Sequence, residues 1–182
     1  DYMLVYRDPI ERIWSLYKNK FLEESGHGQV VREFEAWAGK PAAETTFGDF
    51  MRYLDQPFAL LNAHYAPQKS HLIEREYIAI RMDELGQTMV RLLGDSRGQH
   101  FRQTFNPTKS VVSSGPPSTT HRDRLEHLRT AHQRYGLRET DLMTENDRAF
   151  LRTKYQCDYA MIATIEQGHN QSGQEVTPGN RD

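Results

Sequence analysis

Tyr2-Met3-Leu4-Val5-Tyr6-Arg7-Asp8-Pro9-Ile10-Glu11-Arg12-Ile13-Trp14-Ser15-Leu16-Tyr17 is an apolar run that ends in a charged turn and resumes as an amphipathic helix. Residues 2–6 are short, apolar and free of strict alternation, which predicts a buried central strand of a parallel sheet. Asp8 suits the cap of the next helix, Pro9 its first position, and Glu11 the acid of a capping box. Ile10, Ile13, Trp14, Tyr17 and Phe21 recur at helical spacing and predict the packed face.

The turn gathers donors for an anionic oxygen group. Arg7 lies at the carboxyl end of the strand, where open α/β sheets place their ligands. Ser15 follows one to two turns into the helix. A phosphate there would gain a charge-assisted pair from the guanidinium and a hydroxyl donor from the serine. The plainer alternative is an Asp8–Arg12 pair one turn apart, with Arg7 an ordinary surface charge.

Val5 to Tyr17, followed by Lys18-Asn19-Lys20-Phe21, resembles the 3′-phosphate-binding segment of sulfotransferases, in particular the carbohydrate sulfotransferases of the Golgi and their bacterial relatives. The resemblance implies that Arg7 and Ser15 hold the 3′-phosphate of the sulfate donor, 3′-phosphoadenosine 5′-phosphosulfate. Further segments follow in the family's order. His64-Tyr65-Ala66-Pro67-Gln68 is similar to its His-aromatic-x-Pro-Gln stretch. Tyr77 to Leu85 resembles the strand ending in Arg-Phe-Glu-Asn-Leu, with Asp83 in the acid's place and Glu84 where asparagine is usual. Phe105 to Ser110 resembles the Asn-x-Ser/Thr stretch near the nucleotide, and Tyr155-Gln156-Cys157-Asp158-Tyr159 the Tyr-x-x-Asp-Phe close of the domain.

What this implies is an α/β, P-loop-like sulfotransferase fold: a central parallel sheet flanked by helices, with the amino-terminal part absent. Residues 1–166 would be a partial sulfotransferase domain and 167–182 a polar, disordered tail. No segment fills the role of the loop that grips the 5′-phosphosulfate; the glycines at Gly26, Gly28, Gly94 and Gly98 follow no phosphate-loop pattern. The expectation is that this portion has been cut away, or else that the protein has diverged and lost transfer activity; either way the chain alone is expected to be a poor catalyst. The reaction would move a sulfuryl group to a hydroxyl, expected on a carbohydrate, with no metal.

Composition narrows the class. The chain has 182 residues, enough for one core, and a net charge of −2, so no global basic field for nonspecific nucleic-acid binding exists. Cys157 is the lone cysteine, which excludes an internal disulfide framework. Because the Golgi relatives carry cysteine pairs, a bacterial, cytoplasmic form is expected. No apolar run reaches the length of a membrane span, and no signal peptide is visible.

Along the chain, residues 30–38 predict a short helix broken at Gly39-Lys40-Pro41. Thr46 to Asp49 has capping-box spacing before a helix with Phe50, Tyr53 and Leu54 inward. Residues 57–63 read as more helix, 70–74 as loop or a short edge, and 76–81 as the second strand. A helix opening at Asp83 would turn Leu85, Met89, Val90, Leu92 and Leu93 inward and stop at Gly94. The stretch from Gly94 to Thr120 reads as a functional loop. Residues 121–135 predict a charged helix on Leu125, Leu128 and Ala131, with Arg122, Arg124, Arg129 and Arg134 solvated. Thr144 caps another helix with Phe150, Leu151 and Tyr155 inward, and the chain after Ile165 reads as disordered.

Sulfuryl transfer needs a base for the acceptor hydroxyl, donors for the developing charge and a hold on the leaving nucleotide. His64 is the first candidate base, on the resemblance; otherwise it is a packing or loop residue. His71, Glu74 and Glu76 are rivals. Asn106, Thr108, Lys109 and Ser110 offer donors that the resemblance places near the nucleotide, or else form a polar turn about Pro107. Arg81 either meets a ligand or pairs with Asp83 or Glu84, and Arg12 reads as structural. Two alternatives stay open: another phosphate-handling, kinase-like enzyme, and a noncatalytic binding module that uses the helix at 121–135.

Overall fold

The computed structural model describes residues 2–23, 28–102 and 119–172. β1 (Tyr2–Tyr6) leads to α1 (Pro9–Tyr17), with proline at the first position and Glu11 in the first turn, where the helix dipole favours an acid. The helix then widens into a π-helical turn over Lys18–Glu23. α2 (Gln29–Ala38) ends at Gly39, whose φ of 66° is the left-handed conformation that stops a helix. α3 (Phe47–Leu54) carries a complete capping box between Thr46 and Asp49. Three 3-10 turns follow, Phe58–Leu60, Ala63–Tyr65 and Gln68–His71. Next come β2 (Tyr77–Arg81), a 3-10 turn at Met82–Glu84, α4 (Leu85–Leu93), α5 (Asp95–Gly98) and a 3-10 turn at Gln99–Arg102. The rest is helical: α6 (Leu125–Tyr135), α7 (Glu139–Leu142), α8 (Glu145–Lys154) and α9 (Gln156–Ser172).

The described residues are therefore mostly helical, with one small sheet. β1 and β2 pair in parallel, from Tyr2 opposite Tyr77 to Tyr6 opposite Arg81. Parallel pairing was expected; complete burial of β1 was not met. Tyr2 and Met3 are about half exposed, at 48% and 51%, and only Tyr6 is buried. Tyr6 and Ile80 at the carboxyl ends of the two strands are buried, while Tyr2, Met3, Val5 and Ile78 are exposed, so the ribbon lacks along most of its length the cover that such an apolar sequence suits.

Other departures have local causes. Residues 57–63 break into the 3-10 turn Phe58–Leu60 and the start of the turn Ala63–Tyr65 instead of one helix, because Pro57 and Asn62, the residues before each turn, are extended with ψ of 141° and 147°. On α4 only Met89 is buried, and Leu92 and Leu93 face outward: a nine-residue helix contacting its neighbours along one stripe cannot bury all five apolar positions. Arg129 is not a solvated charge: its Nε donates to the Phe21 carbonyl at 2.6 Å, satisfying an acceptor in the π-helical turn. Part of the Gly94–Thr120 stretch is structured, as α5 and the turn after it. α9 runs through the polar residues past Ile165 as far as Ser172.

The contacts divide the chain into two compact units. One contains residues 2–8, 67–102 and 154–172: the β ribbon, α4, α5 and α9. Here Gly98 lets α5 lie directly on the α4 backbone, since a Cβ at that position would stand 2.6 Å from the Val90 nitrogen. The other contains residues 9–23, 28–66 and 119–153. Its core is an aromatic cluster of Tyr17, Phe21, Phe34, Phe47, Phe50, Tyr53 and Tyr65, all at most 2% exposed. The rings meet edge-on or stacked, as at Tyr17 and Phe47 with centroids 4.9 Å apart. α6 is tied to this unit where the Leu125 N–H donates to the Thr45 carbonyl at 2.7 Å.

Candidate functional site

Two hydrogen-bonded assemblies hold Arg7 and His64, two of the residues that the sequence singles out. In the first unit, Arg7 follows the last residue of β1, and its backbone is held on both sides by one side chain. The Arg7 N–H donates to Gln68 Oε1 at 2.9 Å, and Gln68 Nε2 donates to the Arg7 carbonyl at 2.8 Å. The glutamine amide thus acts as one more strand residue at the point where β1 ends. Gln68 is fixed in turn. The fully buried Asp158 accepts the Gln68 N–H at 2.9 Å and the Lys69 N–H at 2.8 Å, using both carboxylate oxygens. Those amides open the 3-10 turn after Pro67, where a helical turn has donors to spare, and Asp158 itself sits in the first turn of α9, where an acid is favoured.

In the second unit, His64 is exposed on the turn Ala63–Tyr65. Its Nδ1 lies 2.6 Å from Asn62 Oδ1, which also accepts the His64 backbone N–H at 3.1 Å. Asn62 Nδ2 donates to Glu33 Oε2 on α2 at 2.9 Å. The donor roles follow from chemistry. A carboxylate only accepts, so the asparagine NH2 must face Glu33 and its carbonyl must face the imidazole. Nδ1 then carries the proton of the neutral ring, and Nε2 keeps the lone pair that a general base needs. Arg12 anchors this turn to α1, its Nη1 donating to the His64 carbonyl at 3.1 Å and its Nη2 to the Ala66 carbonyl at 2.9 Å. The structural role expected for Arg12 is the one observed.

Ser15 lies one turn past Arg12 on α1, half-buried. Arg7 belongs to the first unit and Ser15 to the second. Asn106, Lys109 and Ser110 lie outside the described residues. Arg81 takes the plainer of its two readings, donating to both carboxylate oxygens of Asp83 and holding that acid below its usual range. Asn62 and Glu33 escaped sequence reasoning; no periodicity links residues 29 positions apart, though asparagine two before a candidate histidine is a local cap signal. A separate open cavity of about 520 Å³ in the second unit is lined by Thr46, Arg52, Asp55, His121 and Arg122 among others; Arg7, Ser15 and His64 do not border it.

Comparison with known proteins agrees with this arrangement of segments. The sequence profile of the Sulfotransferase family matches residues 2–161. Carbohydrate sulfotransferase 14 of Mus musculus is 40% identical over 72 residues, covering 35% of this chain and 19% of that protein. The Homo sapiens carbohydrate sulfotransferase 14 is 39% identical over 72 residues, with the same shares. The chain thus spans 19% of the length of these curated relatives. No solved structure is a significant match. The profile takes in β1, the Arg7 turn, the His64 turn, β2 and the Asp158 clamp together, and on that extent the chain belongs to the sulfotransferase family.

Proposed function

We propose that this chain carries the 3′-phosphate half of the donor site of an enzyme that transfers a sulfuryl group from 3′-phosphoadenosine 5′-phosphosulfate to a hydroxyl on a carbohydrate. Arg7 and Ser15 are the ligands of the 3′-phosphate, and Asn106, Lys109 and Ser110 add donors around the nucleotide. His64 is the base. Its Nε2 takes the proton of the acceptor hydroxyl as the oxygen attacks sulfur; the bond from sulfur to the bridging oxygen of the nucleotide breaks, and 3′-phosphoadenosine 5′-phosphate leaves with the electron pair.

The observation that carries this reading is the clasp on Arg7. An arginine at the carboxyl end of a parallel strand, with its backbone held on both sides and a helix beginning two residues on, is suited to a doubly charged oxyanion. Sulfotransferases generally use this donor, which supports the choice of nucleotide. The carbohydrate acceptor is supported by the partial likeness to the two carbohydrate sulfotransferases.

Calorimetric titration with 3′-phosphoadenosine 5′-phosphate tests the proposal. Binding should weaken strongly in Arg7→Ala and by about 1–2 kcal/mol in Ser15→Ala, the worth of a hydrogen bond to a charged group. Binding indifferent to both substitutions, in variants that stay folded, would discard the donor site.

A further inference from the structure

We infer that Gln68 and Asp158 are positioning residues for Arg7: a clamp that sets the direction of the guanidinium and thereby the preference for a 3′-phosphorylated nucleotide. The inference rests on the proposed donor site. It concerns two residues that touch no ligand in that proposal and act through the backbone.

The geometry is specific. Arg7 has two backbone hydrogen-bonding groups, and one side-chain amide satisfies both, at 2.9 and 2.8 Å. A planar amide engaged this way fixes the peptide planes on either side of the Arg7 Cα, and those planes determine where the side chain leaves the chain. Gln68 could rotate away were its own backbone loose. Asp158 prevents this with two charge-assisted bonds to consecutive amides, from a side chain with no solvent exposure. The buried carboxylate is an expensive device for capping a four-residue 3-10 turn alone. It is intelligible when the turn must hold Gln68 at one place.

Sequence distance adds to this. Arg7, Gln68 and Asp158 are separated by 61 and 90 positions, and each lies in a different one of the segments that mark the chain. A purely local stabilising role would not need the carboxylate of α9, the amide of the turn after Pro67 and the end of β1 to meet in series. The series ends on the residue placed to meet the anion.

The test compares binding of 3′-phosphoadenosine 5′-phosphate with that of adenosine 5′-phosphate, which lacks only the 3′ group. The ratio of the two dissociation constants reads the 3′-phosphate contact and is blind to general loosening. Gln68→Leu, which keeps the bulk and removes both bonds, should lower that ratio roughly five- to tenfold, the effect of a net hydrogen bond or so. Asp158→Asn should lower it less, since one oxygen acceptor is retained. Combined with Arg7→Ala, Gln68→Leu should have no further effect on the ratio, because its influence passes through Arg7.

Three results overturn the inference. If the unaltered protein prefers the 3′-phosphorylated nucleotide and Arg7→Ala abolishes this, but Gln68→Leu lowers only the melting temperature, the clamp is structural and the donor site stands. If Gln68→Leu lowers the ratio equally with and without Arg7, the residue acts by another route. If the unaltered protein shows no preference, the donor site fails and the clamp has nothing to position. Should Gln68→Leu not fold, Gln68→Glu serves: it keeps the acceptor for the Arg7 N–H and replaces the donor to the carbonyl with a repelling oxygen.

Discussion

Asn62 presents its side-chain carbonyl to Nδ1 of His64 at 2.6 Å while its NH2 is held by Glu33, so the tautomer of an exposed histidine is set from a neighbouring helix. A general base oriented by a third group is held in the same way: in the neutral ring this contact puts the proton on Nδ1 and leaves the lone pair on Nε2. Glu33 is itself steadied by Gln29 Nε2 at 2.7 Å, one turn back on α2.

From this follows a kinetic expectation. With His64 as the base, His64→Ala should lower kcat for sulfuryl transfer by 2 to 4 orders of magnitude, roughly the range for general-base catalysis, and leave donor binding unchanged. Asn62→Ala keeps the imidazole but frees its orientation, so a smaller fall in kcat, about tenfold, is expected with the donor KM unaltered. Rates measured against both substrates check this. A donor KM that rises in either variant, with kcat constant, would move His64 from the chemistry to nucleotide binding.

A second expectation concerns acid stability. Burial alone would raise the Asp49 pKa, but the Thr46 N–H at 2.9 Å, Lys40 Nζ at 3.2 Å and the Arg52 guanidinium outweigh it and hold the carboxyl below its ordinary value. A depressed carboxylate stabilises the folded state above its unfolded pKa, about 3.9, and loses that contribution as pH falls through the folded value. Asp49→Asn should therefore be less stable than the parent by about 1 kcal/mol at pH 7, the worth of a capping box. The gap should begin to close only below about pH 4 and should vanish once the pH has passed below the folded value. Urea unfolding at pH 7 and at about pH 2 decides the matter; a constant gap across that range would mean the charge is irrelevant and only the shape of the side chain counts.

His132 also has a lowered pKa, but here burial is the cause. It is 6% exposed on α6, and burial lowers its pKa, the Glu23 carboxylate 3.6 Å from Nε2 opposing that effect incompletely and Lys18 adding to it. The folded state resists protonation while the unfolded chain accepts it near pH 6.5, so stability should fall as pH drops from there toward the folded value. In His132→Gln the slope of unfolding free energy between pH 7.5 and pH 5.5 should be shallower than in the parent. Equal slopes would show that the ring titrates alike in both states.

How much of this was readable in advance depends on the range of the signal. The Arg7-Asp8-Pro9 turn, the Thr46–Asp49 box and the stop at Gly39 are local chemistry within a few residues, and each appears where its residues predict. Phe50 and Tyr53 on one side of α3 announce a core by periodicity, and both are buried. The orienting of His64 by Glu33 through Asn62 was not readable, because Glu33 and Asn62 are unremarkable polar residues that gain a role only when α2 meets the His64 turn. Asp158 lay within a recognised segment, yet its clamp on Gln68 needed coordinates. The exposure of Tyr2 and Met3 was missed for a related reason: an apolar strand predicts burial, but the cover must come from elsewhere in space.

Gly98 supplies the last expectation, and it separates a packing glycine from a ligand-binding one. It lies in a stretch whose paired glycines follow no phosphate-loop pattern, and a Cβ there would stand 2.6 Å from the Val90 nitrogen and 2.8 Å from the Met89 carbonyl carbon. Both are backbone atoms of α4, which cannot swing aside as a side chain can. Gly98→Ala must push α5 off α4 or distort both, with a loss of about 1–3 kcal/mol, typical of overpacking. Gly94, by contrast, has open space around it and a φ of 76°, so Gly94→Ala should strain the backbone without a clash. Hydrogen exchange should register the first substitution as faster exchange at the α4 amides, and the second only near the turn. If Gly98→Ala leaves the α4 amides fully protected, the close approach of the two helices is not what requires glycine there.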